Sequence, residues 1–154
     1  MPHELTLTFA PLDVDAHRSF LLGAHRERSK LTFGAAFDDE KIEREIGRER
    51  GRSTGVFLDG NLIGICDVEQ RSRDDRTFGW VHFFYLAPSF RGQALGRQLI
   101  EYAANFCRER GLTTLYLRVG ATNESAYRFY SRNGFVRAEH FDKPGEYGFK
   151  MPVI

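Results

Sequence analysis

The segment RGQALGR, residues 91–97, places two glycines and two arginines between an aromatic, strand-like segment and an amphipathic, helix-like one. Open α/β sheets bind ligands in such a loop at the carboxyl end of a central strand, because the first turn of the following helix has unpaired N–H groups and the positive end of the helix dipole. Gly92 and Gly96 carry no Cβ and allow close approach, while Arg91 and Arg97 can add charge-assisted contacts. The segment therefore predicts a phosphate-binding loop, with a glycine hinge at a helix start as the alternative. It contains neither the GK[ST] of nucleoside triphosphate loops nor GxGxxG.

A second segment, VGATNESAYRFYSRNGF at 119–135, follows further along the chain. Together the two segments resemble the acetyl-coenzyme A binding motifs of the GNAT family of N-acetyltransferases. The first family motif reads Q or R, any two residues, G, any residue, then G or A; here it begins at Arg91, with Ala94 at the first glycine and Gly96 at the second. We expect Ala94 to exclude a positive φ, and we expect its Cβ to leave the pyrophosphate less room to approach the loop. The second motif is matched by Asn123, Ala126, Tyr130, Gly134 and Phe135.

The resemblance implies the α/β fold of that family, a mixed central sheet flanked by about four helices. Its two parallel central strands, here 78–86 and 112–119, splay apart at their carboxyl ends. Acetyl-CoA is the implied co-substrate, with its pantetheine arm in the gap between these strands. The residues assigned to it are Leu86 through its backbone, Arg91, Gly92, Gln93, Ala94, Leu95, Gly96 and Arg97 around the pyrophosphate, and Asn123, Ala126 and Tyr130 on the other side.

Acetyl transfer to an amine needs a neutral amine, a polarised carbonyl and a proton for the departing thiolate. Tyr130 matches the family tyrosine that acts as general acid; without the motif it would be interpreted as a packing aromatic. His82 stands where many relatives carry a glutamate, and an imidazole can serve as general base directly or through water, or be a satisfied core histidine. Asp67 and Glu69 are alternative bases, and since they share a strand face they could instead bind a cationic substrate.

The elements that position these residues follow from hydrophobic periodicity and turn residues. Strands are predicted at 5–9, 55–58, 62–69, 78–86, 112–119, 135–141 and 147–153. Helices are predicted at 13–25, at 91–110 and at 123–133, and a further helix is predicted to begin after an N-cap at Asp38 or Asp39. A tight turn at 59–61 and a charged tip at 71–76 separate the middle strands. The continuous apolar run at 78–86 predicts a central strand covered on both faces. This order of elements predicts a mixed α/β sheet.

The chain has 154 residues, 42% of them apolar and 28% charged, which predicts one soluble domain over 1–154. The formal net charge of +1 does not imply a nucleic-acid partner. No segment approaches the about 20 apolar residues of a membrane span, and the first residues lack the features of a secretory signal, so we expect a cytoplasmic location. Cys66 and Cys107 lie in apolar surroundings without CxxC or paired-histidine spacing, which predicts two buried thiols and no metal site.

The leading hypothesis is an acetyl-CoA-dependent N-acetyltransferase that acetylates a primary amine of a small molecule or peptide by direct transfer in a ternary complex. The alternatives are a catalytically degenerate regulatory module that binds acyl-CoA, suggested by Ala94 and the missing strand glutamate, and an interaction domain with neither property. The acceptor pocket is expected to include Phe33, Phe37, Arg71, Arg73, Asp74, Phe141 and Tyr147, a mixture that indicates no substrate preference. The terminal strand EYGFKMPVI is expected to present an apolar edge on which a second copy could pair as a homodimer.

Overall fold

The computed structural model describes residues 5–34 and 38–154, and within them a seven-stranded sheet has the order β1-β2-β3-β4-β5-β7-β6. The strands are β1 (Thr8–Pro11), β2 (Thr54–Leu58), β3 (Asn61–Arg73), β4 (Arg76–Leu86), β5 (Thr114–Gly120), β6 (Val136–Arg137) and β7 (Glu146–Pro152). The α-helices in the described part of the chain are α1 (Arg18–Phe33), α2 (Asp39–Glu49), α3 (Leu95–Glu109) and α4 (Glu124–Arg132). Neighbouring strands are antiparallel except β4 and β5, which confirms the predicted mixed α/β sheet.

Two tight turns set the register of the antiparallel strands β2, β3 and β4. Asp59 and Gly60 have φ of 50° and 80°, and Asp74 and Asp75 have φ of 52° and 62°. Two successive residues with positive φ are typical of the two-residue hairpin turn, whose twist matches that of the flanking strands. The first turn is where the sequence predicted it. The second is shorter than the predicted charged tip, because β3 and β4 stay paired up to the residues that flank it.

Helix α1 differs most from its predicted range of 13–25. It begins only at Arg18, after a turn in which Asp13 Oδ1 accepts from two main-chain N–H groups, and it runs on to Phe33 before Gly34 ends it with φ of 76°. The polar residues of its second half gave no amphipathic signal for this extension. The cap of α2 is Asp38, one of the two predicted caps, whose side chain accepts from the N–H of Lys41 at 2.8 Å.

The start of α3 and the position of β1 also differ from prediction. Helix α3 begins at Leu95 and not at Arg91, because Ala94 has a left-handed φ of 63° that interrupts the helical hydrogen bonds. Strand β1 is shifted to Thr8–Pro11 from the predicted 5–9, since its pairing with β2 begins at Thr8.

Strand β7 is not at an edge of the sheet, so the prediction of an uncovered terminal edge is wrong. It pairs with β5 along its whole length and with β6 at Phe149 and Lys150. Strand β6 is much shorter than the predicted strand 135–141, because the chain enters a 3-10 turn at Glu139–Phe141. The main chain of Ala138 covers a further part of the β7 edge by donating to Gly148 O at 2.8 Å.

The helices divide between the two faces of the sheet. Helices α1 and α2 bury an apolar cluster that includes Leu21, Ile42, Ile46, Ile65 and Phe83. Helices α3 and α4 cover the opposite face, where Cys107 and Leu115 are fully buried. A Cβ at Gly79 would lie 2.3 Å from Cys107 Sγ, so this glycine allows α3 to lie against the centre of the sheet. The predicted burial of Cys66 and Cys107 is confirmed.

The parallel strands β4 and β5 pair at only two positions. Gly79 is opposite Leu115 and Trp80 is opposite Tyr116, and beyond these pairs the strands separate. The splay that the resemblance implied is therefore confirmed.

A β-bulge accompanies this separation. Val81 and Phe83 pair with Val68 and Asp67, two consecutive residues of β3, which leaves His82 as the extra residue of β4. A bulge bends its strand and increases the local twist. Strand β4 therefore changes direction at the place where it leaves β5.

A buried carboxylate ties β3 to the start of β2. Asp67, only 6% exposed, accepts from Ser53 Oγ at 3.0 Å and from the N–H of Thr54 at 2.8 Å. Burial raises the pKa of Asp67 to about 7; the nearby Glu49 adds to the rise, and the two hydrogen bonds oppose it. The folded protein therefore holds a proton on Asp67 at pH values where the unfolded chain has released it.

We expect the unfolding free energy to fall as the pH rises from the ordinary pKa of Asp67, 3.8, to about 7, because the folded state binds the additional proton. The contribution of one such group is about 1.4 kcal/mol per pH unit inside this window. Asp67→Asn keeps an acceptor for Ser53 and Thr54 and should remove the slope. Urea denaturation at pH 5, 6, 7 and 8 measures it.

Asp142→Asn is the control. A hydrogen bond from the N–H of Gly148 and then the Arg137 side chain lower the pKa of Asp142 below its ordinary 3.8, so this carboxylate is ionised in both states between pH 5 and 8. Parallel stability curves for the wild type and Asp67→Asn would contradict the prediction.

Candidate active site

The separation of β4 and β5 opens a cleft of about 1090 Å³ between the two strands. Helix α1 bounds it on one face of the sheet, and α4 and the start of α3 bound it on the other. At Gly120 the end of β5 approaches α1 so closely that a Cβ would lie 2.9 Å from Thr32 Cα. The predicted residues that the structure brings together around this cleft are His82, Leu86, Arg91, Gly92, Ala94, Gly96, Arg97, Asn123, Ala126 and Tyr130.

The loop before α3 presents its main-chain N–H groups at one end of the cleft. Gly92 and Ala94 have φ of 77° and 63°, so the expectation that Ala94 would exclude a positive φ is wrong. A left-handed alanine costs about 1–2 kcal/mol, and the surrounding loop maintains it. The N–H groups of Gly92, Gln93 and Ala94 donate to no acceptor among the described residues, and the first turn of α3 has no intrahelical acceptors. The loop can therefore hold an anion.

Two residues of this loop can contribute to a ligand only through their main chain. Gln93 uses its side-chain amide to donate to Ser89 O at 3.0 Å, and Leu95 is 1% exposed in the core beneath α3. Gly96 fixes the loop against α4, because a Cβ there would lie 2.8 Å from the ring of Phe129. Arg97 is exposed on the first turn of α3 and lines the cleft.

The side chain of Arg91 bridges the end of β4 and α1. Its Nε donates to Leu86 O at 2.8 Å, and its Nη1 lies 2.6 Å from a carboxylate oxygen of Glu27. Glu27 also accepts from the Tyr85 hydroxyl at 2.8 Å. Burial would raise the pKa of Glu27, but the hydrogen bonds from Arg91 and Tyr85 outweigh it and lower the pKa. The guanidinium of Arg91 is thus held by two contacts within the protein while it lines the cleft.

The main-chain groups of Leu86 face the gap between the strands. Ala87 donates its N–H to Ile63 O of β3 at 2.8 Å, and since main-chain directions alternate along a strand, those of Leu86 point the other way. On the opposite wall Asn123 caps α4, and its Oδ1 accepts from the N–H of Ala126 at 3.2 Å. This leaves the amide nitrogen of Asn123 as a donor beside the cleft.

Tyr130 lies on α4, on the face of the sheet that α3 covers. Its ring packs near Phe84 and Phe135, with ring centroids 6.4 and 5.3 Å away. Burial, and then the nearby Cys66 thiol, raise the pKa of Tyr130 well above its ordinary value. The hydroxyl has no hydrogen-bond partner among the described residues. It is therefore a protonated donor in the cleft at neutral pH.

His82 is the bulge residue of β4. Its charged neighbours lie on the face of the sheet that α1 and α2 cover, opposite to the face of Tyr130. Burial lowers its pKa, the Arg28 guanidinium of α1 lowers it further, and Glu49 and Glu69 oppose the shift. The imidazole is therefore neutral at pH 7 and can accept a proton.

The alternative bases do not line the cleft. Asp67 is bound to Ser53 and Thr54, and Glu69 pairs with Arg71 through Nε at 2.7 Å and Nη2 at 2.5 Å. Neither carboxylate is thus available to a cationic substrate in the cleft.

The predicted acceptor residues are only partly brought together. Of these residues, Arg71 lines the cleft. Arg73 and Phe141 pack on each other, and Tyr147 packs against Tyr127. Asp74 lies in a hairpin turn, Phe33 is the last residue of α1, and Phe37 lies outside the described residues. The cleft is also lined by residues that were not predicted: Glu27, Arg28, Leu31 and Thr32 of α1, and Arg118 of β5. A longer predicted α1 would have identified the first four. Across 5–34 and 38–154, no helix is long and apolar enough to cross a membrane, and no three His, Cys, Asp or Glu residues form a metal-binding group.

The comparisons with known proteins agree with this arrangement. The sequence model of the Acetyltransferase (GNAT) family matches residues 19–135. A protein of Archaeoglobus fulgidus described as an uncharacterized N-acetyltransferase is 35% identical over 97 residues, which cover 61% of this chain and 66% of that protein. Streptothricin acetyltransferase of Streptomyces lavendulae is 38% identical over 81 residues, 53% of this chain and 42% of that enzyme. The matches thus span less than two thirds of the length of either relative.

Among solved structures, the PaiA N-acetyltransferase of Thermoplasma acidophilum in complex with coenzyme A superposes with a TM-score of 0.69. The superposition covers 96% of this chain and 99% of that one at 21% identity, which shows the shared fold. Because the family model matches well over half of the 154 residues, the chain belongs to the acetyltransferase (GNAT) family.

Proposed function

We propose that residues 1–154 form one acetyltransferase domain that transfers an acetyl group from acetyl-CoA to a primary amine by direct transfer in a ternary complex. The observation that carries the proposal is the gap between β4 and β5. A loop of N–H groups lies at one end of it and a tyrosine hydroxyl in its wall, and neither has a partner within residues 5–34 and 38–154. The coenzyme A bound to the related fold of the Thermoplasma acidophilum protein supports it.

The residues around the gap fit the parts of acetyl-CoA. In this proposal the N–H groups of residues 92–97 bind the pyrophosphate, with Arg97 adding charge. The main chain of Leu86 and the amide of Asn123 face the gap from its two walls, where an extended arm with amide groups would lie. The arm would then take the place of the missing strand pairing.

The chemistry requires two proton transfers. The amine nitrogen attacks the thioester carbonyl carbon, a C–N bond forms, and the C–S bond breaks with its electron pair on sulfur. We assign His82 to accept the amine proton and Tyr130 to give a proton to the thiolate. The lowered pKa of His82 and the raised pKa of Tyr130 leave the imidazole neutral and the phenol protonated at pH 7, which are the states in which these assignments use them.

Arg97→Glu is expected to weaken the binding of CoA and acetyl-CoA by about tenfold or more, because repulsion of the pyrophosphate replaces a charge-assisted contact. Arg97 is exposed, so the fold should tolerate the change, whereas any side chain at Gly96 would collide with Phe129. Calorimetric titration measures the affinities. Arg44→Glu on α2, an exposed position outside the cleft, is the control for net charge. A wild-type protein that binds no CoA would contradict the proposal.

Tyr130→Phe is expected to lower kcat by about a hundredfold or more and to change CoA affinity less than twofold, because only the proton donor is removed. Steady-state release of CoA over an amine panel measures turnover. The matched control is Tyr127→Phe one turn away, whose ring packs on Tyr147 and Phe149 outside the cleft. Equal losses of turnover and CoA affinity would assign Tyr130 to packing. A wild type that binds acetyl-CoA but never consumes it would favour the regulatory module.

His82→Gln tests the base through its pH dependence. The ratio of the wild-type kcat/KM to that of the variant should fall as the pH falls below the ordinary histidine pKa of 6.5, because protonation removes the base from the wild type alone. Titration of the substrate amine affects both proteins alike and cancels in the ratio. A ratio that does not change between pH 5 and 8 would assign the proton transfer to water.

A further inference from the structure

The two faces of the cleft differ in chemistry. The phosphate-binding loop, Asn123 and Tyr130 belong to the face of α3 and α4. The other face presents His82 and the residues of α1 that line the cleft. An acceptor that reaches the gap opposite the coenzyme must therefore approach over the face of α1.

Arginines from three elements surround His82 on that face. Arg71 of β3 and Arg118 of β5 lie against the Trp80 ring, with Cζ 4.9 and 4.7 Å from the ring centroid. Arg28 of α1 lies over the Phe83 ring at 4.9 Å. Trp80 and Phe83 are the β4 aromatics on either side of His82 along the strand. The guanidinium groups thus flank the position assigned to the base.

Two of these arginines form no direct ion pair with the described residues, although Glu146 and Asp142 attract Arg118 from farther away. Arg71 is neutralised by Glu69, but neither Arg28 nor Arg118 pairs with a carboxylate of the described residues. Arg118 donates through Nε to Phe141 O at 2.6 Å, which leaves its outer nitrogens directed to no protein acceptor in that part of the chain. Both side chains are half-buried, so their unpaired charge is unfavourable until an anion binds.

The charge of the cleft differs from that of the whole protein. The chain has 22 basic and 21 acidic side chains. The cleft is lined by seven basic side chains and only two acidic ones, Glu27 and Glu146. Glu27 is already paired with Arg91, and Glu146 interacts with the positive charge of Arg118, so neither carboxylate is free of arginine to receive a cationic acceptor.

We propose that the acceptor amine carries a carboxylate or phosphate group that binds to Arg28 and Arg118 beside His82. This inference rests on the proposed acetyl transfer and names its substrate class. Planar guanidinium groups bind either anion through paired hydrogen bonds, and their stacking on Trp80 and Phe83 holds them in position. An acceptor bound in this way would lie on the same side of the cleft as His82.

Matched amines that differ only in the anionic group test the proposal. One pair is the dipeptide amides of Ala-Glu and Ala-Gln, and the other is glucosamine 6-phosphate and glucosamine. The anionic member of one pair should have a kcat/KM about tenfold or more above its neutral partner. The pair that shows the difference identifies the anion. Titration of the CoA-saturated protein with the same four amines measures binding independently of turnover.

Arg118→Gln and Arg28→Gln should each raise KM and Kd for the anionic amine about tenfold and leave those for the neutral partner unchanged. Assays at pH 8 keep His82 neutral in all variants, since Arg28 contributes to its low pKa. The control is Arg73→Gln, an arginine that also stacks on an aromatic ring, 4.6 Å over Phe141, without lining the cleft. Thermal unfolding and CoA affinity verify that each variant is folded.

The outcomes separate this inference from the proposed function. Selectivity for anionic amines that both variants lose and Arg73→Gln retains supports the inference. Equal use of the two members of both pairs, or the same selectivity in both variants, overturns it. Turnover of neutral amines alone would leave the acetyl transfer in place and reject the anionic acceptor. Selective binding of anionic amines without consumption of acetyl-CoA would support the anionic acceptor site and reject the acetyl transfer.

Discussion

Main-chain hydrogen bonding between β4 and β5 ends at Trp80 and Tyr116, although both strands continue. Main-chain groups in the middle of a sheet must be satisfied, because burying them without partners is unfavourable by about 1–3 kcal/mol each. The carbonyl of Leu86 is satisfied by the side chain of Arg91, whose Nε donates a hydrogen bond to it. The remaining edge is suited to a ligand that is extended and carries amide groups. The separation of the two strands thus leaves main-chain groups in the cleft that an extended ligand can pair with.

The gap stays open because each strand is held from its other side. Strand β4 pairs with β3 along ten positions and β5 with β7 along seven, so neither strand can move toward the other without breaking these ladders. Two glycines bring helices against the walls from outside. Gly120 admits the main chain of Thr32 in α1, and Gly96 admits the ring of Phe129 in α4. The walls are thus positioned by packing that exists before any ligand binds.

The order of the elements, the Asp59 turn and the caps at Asp38 and Asn123 were predictable because each depends on residues close together in sequence. The splay followed from resemblance alone. Features that depend on distant residues were not predictable. One is the ion pair of Arg91 with Glu27, which lies 64 positions earlier on a part of α1 with no apolar periodicity. The bulge was hidden because an uninterrupted apolar run looks the same in either register.

One physical cause prepares the two groups assigned to proton transfer. Burial is the largest contribution to both pKa shifts, raising that of Tyr130 and lowering that of His82. Desolvation disfavours the charged form of any group, which is the anion of a phenol and the cation of an imidazole. Burial of the two side chains therefore keeps a proton on Tyr130 and away from His82 at neutral pH. The proposed function needs no separate device for each role, because burial beside the same cleft sets both protonation states.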